Sequence, residues 1–132
     1  MENILTNMCL VKNPRDNTYL FLNRVKNDWP GLTLPGGHVE EDETYDESVI
    51  REMKEETGLK LKEVECIGMI EWVIDNKRHL SLLYYSQNYQ GELLSSVEGK
   101  VFFEKLENLD KYPFSNDFDK VLEIYKKRNL LN

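Results

Sequence analysis

The amino-acid sequence predicts a mixed α/β fold in which helices pack on a β-sheet. Apolar residues make up 40% of the 132-residue chain, and a chain of this length can build a core without a disulfide or a metal. Strand-like segments lie on both sides of an amphipathic helix, and a second amphipathic helix follows the last strand. The order β-β-loop-α-β-β-β-α is typical of a single domain with helices on a sheet.

The first part of the chain is predicted to form a hairpin followed by a glycine-rich loop. Ile4–Lys12 and Thr18–Val25 are strand-like, and the turn-forming run 13–17 lies between them. Asn27–Gly37 contains two prolines and three glycines. This composition predicts a loop, with a short strand at Leu32–Leu34.

Signals at both ends predict a helix over Tyr45–Thr57. Thr44 and Glu47 have the spacing of a capping box, in which each residue satisfies the backbone of the other. Gly58 stands where helices commonly end. The helix is expected to bury one face, which carries Val49, Ile50, Met53 and Thr57.

The second part of the chain predicts three further strands and a closing helix. Val64–Ile74 and His79–Tyr85 flank the turn 75–78, and Val101–Phe103 is a third strand. Ser115–Arg128 is predicted to be an amphipathic helix. Its apolar side carries Phe118, Val121, Leu122 and Tyr125.

Charge and cysteine usage argue against several classes of protein. The chain has 17 basic and 24 acidic residues, a net charge of −7, which disfavours binding to polymeric nucleic acid. No apolar run is long enough to span a bilayer and no signal peptide is visible, so we expect no membrane association and a cytoplasmic location. Cys9 and Cys66 lack metal-binding or redox spacing, and we expect both to be buried free thiols.

Acidic residues are concentrated around the first predicted helix. The segment 40–56 has nine acidic and two basic residues, so it alone carries a charge of −7. Glu52, Glu55 and Glu56 fall within an arc of about 100° beside the apolar face. Like charges four residues apart destabilise a helix by roughly 0.2–0.5 kcal/mol per pair. Such oxygen ligands suit Mg²⁺ or Mn²⁺, although for three glutamates alone a solvated acidic helix face is the better explanation.

The spacing of the glutamates relative to an upstream glycine favours the metal site. Leu34-Pro35-Gly36-Gly37 precedes the helix. From Gly37 the sequence continues with five residues, Glu43, seven residues, Arg51-Glu52-Met53, one residue, Glu55-Glu56, one residue and Gly58-Leu59. This arrangement resembles the Nudix box, GX5EX7REUXEEXGU with U aliphatic, at every defined position. The box covers residues 37–59, about a sixth of the chain.

The resemblance implies that residues 1–132 form a single Nudix hydrolase domain. Its expected fold is an α/β/α sandwich with a mixed sheet between helices, and its expected activity is hydrolysis of a nucleoside diphosphate linked to another group. The expected assembly is a monomer or a homodimer. The expected metal ligands, for Mg²⁺ or Mn²⁺, are Glu52, Glu55, Glu56 and the Gly37 carbonyl.

The resemblance also implies roles for the residues around these ligands. Glu52 is a candidate general base, although the residue that takes this role differs within the family. Arg51 is expected to pair with Glu43 and so hold the loop onto the helix, and Gly58 has a structural role.

Three residues outside the box resemble the MutT branch of the family, which removes oxidised nucleotides. Arg24 matches an arginine that helps to hold the nucleotide, and Glu98 matches a loop glutamate that adds a metal contact. Asn116 matches an asparagine that recognises the purine edge. The alternatives are a surface arginine, an acidic turn residue, and a helix cap formed by Ser115 or Asn116.

These matches make a purine nucleoside triphosphate such as 8-oxo-dGTP the expected substrate, cleaved to the monophosphate and pyrophosphate. Residues 60–83 contain neither proline nor tyrosine, and this argues against the ADP-ribose and diadenosine polyphosphate types. Hydrolysis of ADP-ribose, a sugar nucleotide or an isoprenoid pyrophosphate remains an alternative. A regulator that binds nucleotides without hydrolysing them is another.

Overall fold

A mixed β-sheet forms the centre of the molecule. The computed structural model describes residues 1–132. Its strands are β1 Glu2–Asn13, β2 Thr18–Arg24, β3 Gly31–Thr33, β4 Gly36–His38, β5 Lys60–Leu61, β6 Glu65–Ile74, β7 Lys77–Ser86, β8 Tyr89–Gln90 and β9 Gly99–Glu104. Its helices are α1 Tyr45–Thr57, a 3₁₀ helix at Leu106–Lys111 and α2 Phe118–Lys127. Neither α-helix is long and apolar enough to cross a membrane.

Strand β1 organises the sheet because it has partners along both edges. One edge runs parallel to β7, from the pair Glu2–Lys77 to the pair Val11–Ser86. The other edge is shared between β4 near Asn7 and β2 at the far end of the strand. Strand β2 also pairs with β3 and β9, and β6 pairs with β7 at the end of the sheet. Strands β5 and β8 form a separate small sheet.

The two faces of the sheet are covered by different helices. Along β1, Met8 and Leu10 lie in one core cluster, whereas Cys9 and Val11 lie in the other, as the alternation of a strand requires. The first cluster includes the buried apolar residues of α2 and the second includes those of α1. The sheet therefore lies between helices, which confirms the predicted α/β/α arrangement.

Helix α1 begins and ends where the sequence predicts. The Thr44 hydroxyl accepts from the Glu47 N–H at 3.1 Å, and the Glu47 carboxylate accepts from the Thr44 N–H at 2.8 Å. Gly58 has a left-handed φ of 82°, and its N–H donates to the Lys54 carbonyl. A Cβ at Gly58 would overlap the Glu92 carbonyl oxygen, so this turn needs glycine for space as well as for conformation.

Several predictions about the elements need correction. The end of the predicted glycine loop forms strand β4 instead, because residues 36–38 pair with β1. Strands β5 and β8 and the 3₁₀ helix were not predicted, since they have no clear sequence signal. Helix α2 begins at Phe118 rather than Ser115, since Asp117 has a left-handed φ of 64°. Cys9 is buried, but Cys66 is exposed on the terminal strand β6, so the prediction that both thiols are buried was wrong.

Candidate active site

Strand β4 brings bare backbone against helix α1. Gly37 pairs with Asn7 of β1, and a Cβ at Gly37 would overlap the carboxylate of Glu52. Any side chain at position 37 would therefore displace Glu52. The glycine strand and the acidic face of α1 form one unit, as their fixed spacing in the sequence predicts.

Arg51 is the centre of a network of carboxylates on α1 and the preceding loop. Its Nε and Nη2 donate to the two oxygens of Glu43, at 3.0 and 2.8 Å, and Nη2 also donates to the His38 carbonyl at 3.0 Å. Its Nη1 donates to Glu52 at 2.9 Å and to Glu55 at 3.1 Å. The hydrogen bonds from Arg51 lower the pKa of Glu43 to about 2. The predicted pair is present, and it joins the loop to the helix.

Glu56 is the acidic residue with the least compensation. Its Oε2 is buried and has no hydrogen-bond partner. Burial is the main reason that its pKa rises to about 7, and the nearby carboxylates of Glu98 and Glu52 raise it further. Glu55, in contrast, projects into solvent, with its side chain 59% exposed. The ionised form of Glu56 is thus the least compensated of the three glutamates in the absence of a cation.

Pairing between β2 and β9 brings Arg24 and Glu98 to this position. Arg24 pairs with Gly99, the residue after Glu98. The Arg24 Nε lies 3.4 Å from Glu98 Oε2, and the Lys26 Nζ lies 3.0 Å from Glu98 Oε1. Arg24 also lowers the pKa of Glu56 electrostatically. Three predicted site residues, far apart in the sequence, therefore meet at one end of the sheet.

The residues at this end of the sheet fit a hard divalent cation. Glu52, Glu56 and Glu98 offer only carboxylate oxygens as metal ligands. The Oε2 of Glu56 is buried without a hydrogen-bond partner, and a bound cation would satisfy it. As they stand, no three acidic, histidine or cysteine side chains form a ready metal-binding group. Arg51 engages Glu52, while Arg24 and Lys26 engage Glu98.

Asn116 lies in the turn before α2 and is exposed. The predicted alternative, a side-chain cap from Ser115 or Asn116, was wrong, because no side chain caps α2 and the Ser115 hydroxyl donates to the Leu32 carbonyl. The neighbouring Asp117 accepts from the Trp72 indole N–H at 3.1 Å.

Trp72 in turn joins the Asn116 turn to the arginine at the acidic site. Its ring stacks edge-to-face on Trp29, with ring centroids 5.7 Å apart. The Trp29 carbonyl accepts from Arg24 Nη1 at 3.1 Å. A continuous set of contacts therefore runs from the turn that carries Asn116 to Arg24, although Asn116 itself makes no hydrogen bond to Glu52, Glu55 or Glu56.

Two buried polar residues beside the site, Asn7 and Ser48, were not predicted from the sequence. Asn7 accepts from the Gly37 N–H at 3.1 Å and donates to the Ser48 hydroxyl at 2.9 Å. The available signal was a polar residue at an inward position of an otherwise apolar strand, between Leu5 and Cys9.

Comparison with known proteins agrees with this architecture. A family model described as "NUDIX domain" matches residues 4–123. An ADP-ribose pyrophosphatase from Methanocaldococcus jannaschii is 36% identical over 118 residues, which cover 86% of this chain and 68% of that protein.

The solved structures of two MutT proteins, one archaeal and one bacterial, have the same fold. The MutT protein from Methanosarcina mazei Go1 superposes with a TM-score of 0.81 at 22% identity, over 97% of this chain and 96% of that chain. The mutator MutT protein from Bacillus halodurans has a TM-score of 0.77 at 26% identity, over 91% and 80% of the two chains. The family match over nearly the whole chain, together with the box at the acidic site, shows that this protein belongs to the Nudix hydrolase family.

Proposed function

We propose that residues 1–132 act as one domain that hydrolyses a phosphoric anhydride in a nucleoside diphosphate linked to another group, with Mg²⁺ or Mn²⁺ as cofactor. Glu56 is the strongest support for this proposal, because one of its oxygens is buried and unpaired and the carboxylates of Glu98 and Glu52 lie close enough to raise its pKa. Glu52 in turn lies directly against Gly37. An acidic site of this kind repels a polyphosphate unless cations neutralise it.

The residues of the site have distinct proposed roles. Glu52, Glu55, Glu56, Glu98 and the Gly37 carbonyl are the proposed metal ligands; a metal held there supplies Lewis-acid stabilisation and lowers the pKa of bound water. Glu52 is the candidate base, directly or through an ordered water. Arg51 holds the carboxylates of α1 in register with the loop, and Gly58 ends the helix that carries them.

Arg24 is proposed to contact the nucleotide. Its guanidinium is anchored by Asp28 and the Trp29 carbonyl, so its position is fixed in the absence of substrate. It lies close enough to Glu98 and Glu56 to interact with a phosphate at the same site. A guanidinium suits this role because its planar donors match phosphate oxygens.

An oxidised purine nucleoside triphosphate such as 8-oxo-dGTP is the first candidate substrate. Asn116 supports it, since its exposed side chain is not used as a helix cap and an amide offers both an acceptor and donors to a purine edge. The absence of proline from residues 60–83 also argues against the ADP-ribose type, and the absence of tyrosine argues against the diadenosine polyphosphate type.

ADP-ribose is the second candidate. It is favoured by the 36% identity to the Methanocaldococcus jannaschii protein named an ADP-ribose pyrophosphatase. Both candidate substrates contain a purine nucleoside diphosphate, which would bind at the same acidic site. They differ in the group attached to the second phosphate and in the hydrogen-bonding edge of the purine.

A substrate panel separates these candidates. The purified protein is incubated with Mg²⁺ or Mn²⁺ and with 8-oxo-dGTP, dGTP, ADP-ribose, a diadenosine polyphosphate, a sugar nucleotide and an isoprenoid pyrophosphate, and kcat/KM is compared. We expect 8-oxo-dGTP to lead, with the monophosphate and pyrophosphate as products. Preference for ADP-ribose would transfer the assignment to the second candidate. Tight nucleotide binding without turnover of any compound would indicate a regulator.

A further inference from the structure

A buried asparagine connects the glycine strand to the helix that carries the acidic residues. Asn7 of β1 is 2% exposed. Its Nδ2 donates to the Ser48 hydroxyl at 2.9 Å, and its Oδ1 accepts from the Gly37 N–H at 3.1 Å. Ser48 is itself fully buried and donates to the His38 carbonyl at 3.5 Å. One side chain therefore bonds to both β4 and α1.

Asn7 is a polar residue on a side of β1 where its neighbours are apolar. The residues on the same side of β1 are Leu5, Cys9 and Val11, which pack in the apolar cluster under α1. An amide buried among apolar side chains destabilises the fold unless its polar atoms are hydrogen-bonded. Here the hydrogen bonds are made to the two elements that meet at the acidic site.

We propose that Asn7 is a positioning residue for the divalent-metal site, because it fixes the Gly37 peptide on β4 relative to Ser48 on α1. This inference rests on the proposed function only in assuming that a divalent cation binds at the acidic site. It adds a residue outside the box, on a different strand, to the residues that define that site.

The geometry explains how Asn7 acts at a distance. Gly37 stands directly against the Glu52 carboxylate, so a small displacement of β4 moves the Gly37 carbonyl and changes the space available to Glu52. Ser48 lies one turn of α1 before Glu52, and its bond to Asn7 holds that end of the helix against the sheet. Residues that orient metal ligands in this way commonly change metal affinity by about 10- to 100-fold when replaced.

The test measures Mn²⁺ affinity directly, without substrate, from the electron paramagnetic resonance signal of free Mn²⁺ during a titration of the whole protein. We expect Asn7→Ala to raise the Mn²⁺ Kd by about 10-fold or more. Ser48→Ala removes only one of the two connections and should raise the Kd by a smaller factor. Because Ser48 is small and lies in a helix, this second variant keeps the test decisive if Asn7→Ala does not fold.

Cys9→Ala is the matched control. Cys9 is buried in the same row of β1 and also faces α1, but its side chain bonds to neither Gly37 nor Ser48. We expect its Mn²⁺ Kd to match the wild-type value even where its melting temperature falls. Equal Kd values for Asn7→Ala, Ser48→Ala and wild type would overturn the proposal.

Failure of the proposed function gives a different result. Wild-type protein that binds Mn²⁺ but cleaves none of the panel compounds would refute the hydrolase proposal, while the weaker affinity of Asn7→Ala would still support the positioning role. Activity in wild type together with an unchanged Kd in both variants would refute the positioning role alone. Wild-type protein that binds no Mn²⁺ would refute both.

Discussion

Glu56 combines features that conflict in a protein without a bound cation. One of its oxygens is buried and unpaired, and Glu98 and Glu52 both repel its negative charge. A neutral side chain at such a position would destabilise the metal-free fold less than a carboxylate does. The conflict is resolved if the carboxylate has a cationic ligand, and this expectation leads to a test at the level of a single residue.

The first prediction is that Glu56→Gln lowers kcat/KM by at least about 100-fold without destabilising the metal-free fold. Replacing a residue that only orients metal ligands usually has a smaller effect, about 10- to 100-fold. The raised pKa of about 7 means that the folded protein holds a proton that the unfolded chain, with a pKa near 4.5, releases. The carboxylate therefore costs stability increasingly as the pH rises from 4.5 through 7.

Melting temperatures across this pH range, measured in a chelator, check the sign. The two proteins should be alike near pH 4.5, and Glu56→Gln should melt at the higher temperature near pH 8. Glu63→Gln is the control for both measurements, since this glutamate is exposed and is not among the proposed metal ligands. Wild-type activity in Glu56→Gln would show that Glu56 is not part of the site.

The second prediction concerns Asn116. 8-Oxoguanine carries a hydrogen-bond donor at N7, whereas guanine carries an acceptor there, so an amide oxygen at this edge is left unpaired with dGTP. An unpaired buried polar group costs about 1–3 kcal/mol, or roughly one to two decades of selectivity. Asn116→Ala should therefore reduce kcat/KM for 8-oxo-dGTP by that factor and leave dGTP nearly unchanged.

Steady-state kinetics with both nucleotides measure this ratio. The melting temperature should not change, because Asn116 is exposed and does not cap α2. Asn132→Ala is a suitable control, since this residue is also exposed and lies beyond the other end of the helix. An equal loss for both nucleotides would count against base recognition.

At the scale of elements, the connection between the loop 38–44 and α1 depends on one arginine. Arg51 forks onto Glu43 and also holds the His38 carbonyl, so the loop cannot move away from the helix without breaking several charged hydrogen bonds. Asn7 makes a second connection, from the sheet side, to the same short strand β4. The acidic face of α1 is thereby fixed relative to Gly37 from two directions.

The third prediction is a pH dependence of the contribution made by Glu43. Arg51 lowers its pKa to about 2, from an ordinary value of 4.5. A lowered carboxylate pKa contributes stability that is fully present above pH 4.5 and is lost as the pH falls through 2. Glu43→Gln should therefore melt at a lower temperature than wild type at pH 7, and the difference should shrink steadily below pH 4.5.

Calorimetry at closely spaced pH values provides the measurement. Glu41→Gln is the control, because Glu41 lies in the same loop and is exposed. A difference that stays constant from pH 7 to pH 3 would show that the pair with Arg51 does not stabilise the fold.

At the scale of the whole molecule, the acidic site lies where distant parts of the chain meet. Strand β4, helix α1 and the β2–β9 pair contribute Gly37, Glu56, Arg24 and Glu98. Cation binding there should stabilise the entire fold, since the unfolded chain does not bring these residues together.

The fourth prediction is that Mg²⁺ raises the melting temperature and that a chelator reverses the change. A ligand at 100 times its Kd adds about 2.7 kcal/mol to the free energy of unfolding, a shift that thermal melts detect easily. Glu56→Gln should lose most of the shift, whereas Glu63→Gln, at an exposed position that is not among the proposed metal ligands, should retain it. A Mg²⁺ effect of equal size in both variants would point to non-specific binding.

The amino-acid sequence by itself determined the elements whose causes are local. Helix α1 follows from the Thr44–Glu47 capping box, an apolar face with a 3.6-residue period and the glycine at its end, all within 15 residues. The hairpin of β1 and β2 follows from alternation around a turn. The box, including the Arg51–Glu43 pair, has its residues at fixed spacing within one loop and one helix, so their proximity needs little tertiary information.

Only the tertiary structure decided the features that depend on pairing between distant strands. The register of β2 with β9 sets Glu98 beside Arg24, and the pairing of β1 with β4 makes a strand of Gly36–His38 and puts Asn7 against Gly37. Cys66 is exposed on β6, and no local pattern reveals that this strand ends the sheet. Strand order and register depend on the packing of both faces of the sheet, and many pairings are compatible with the same alternation of apolar residues.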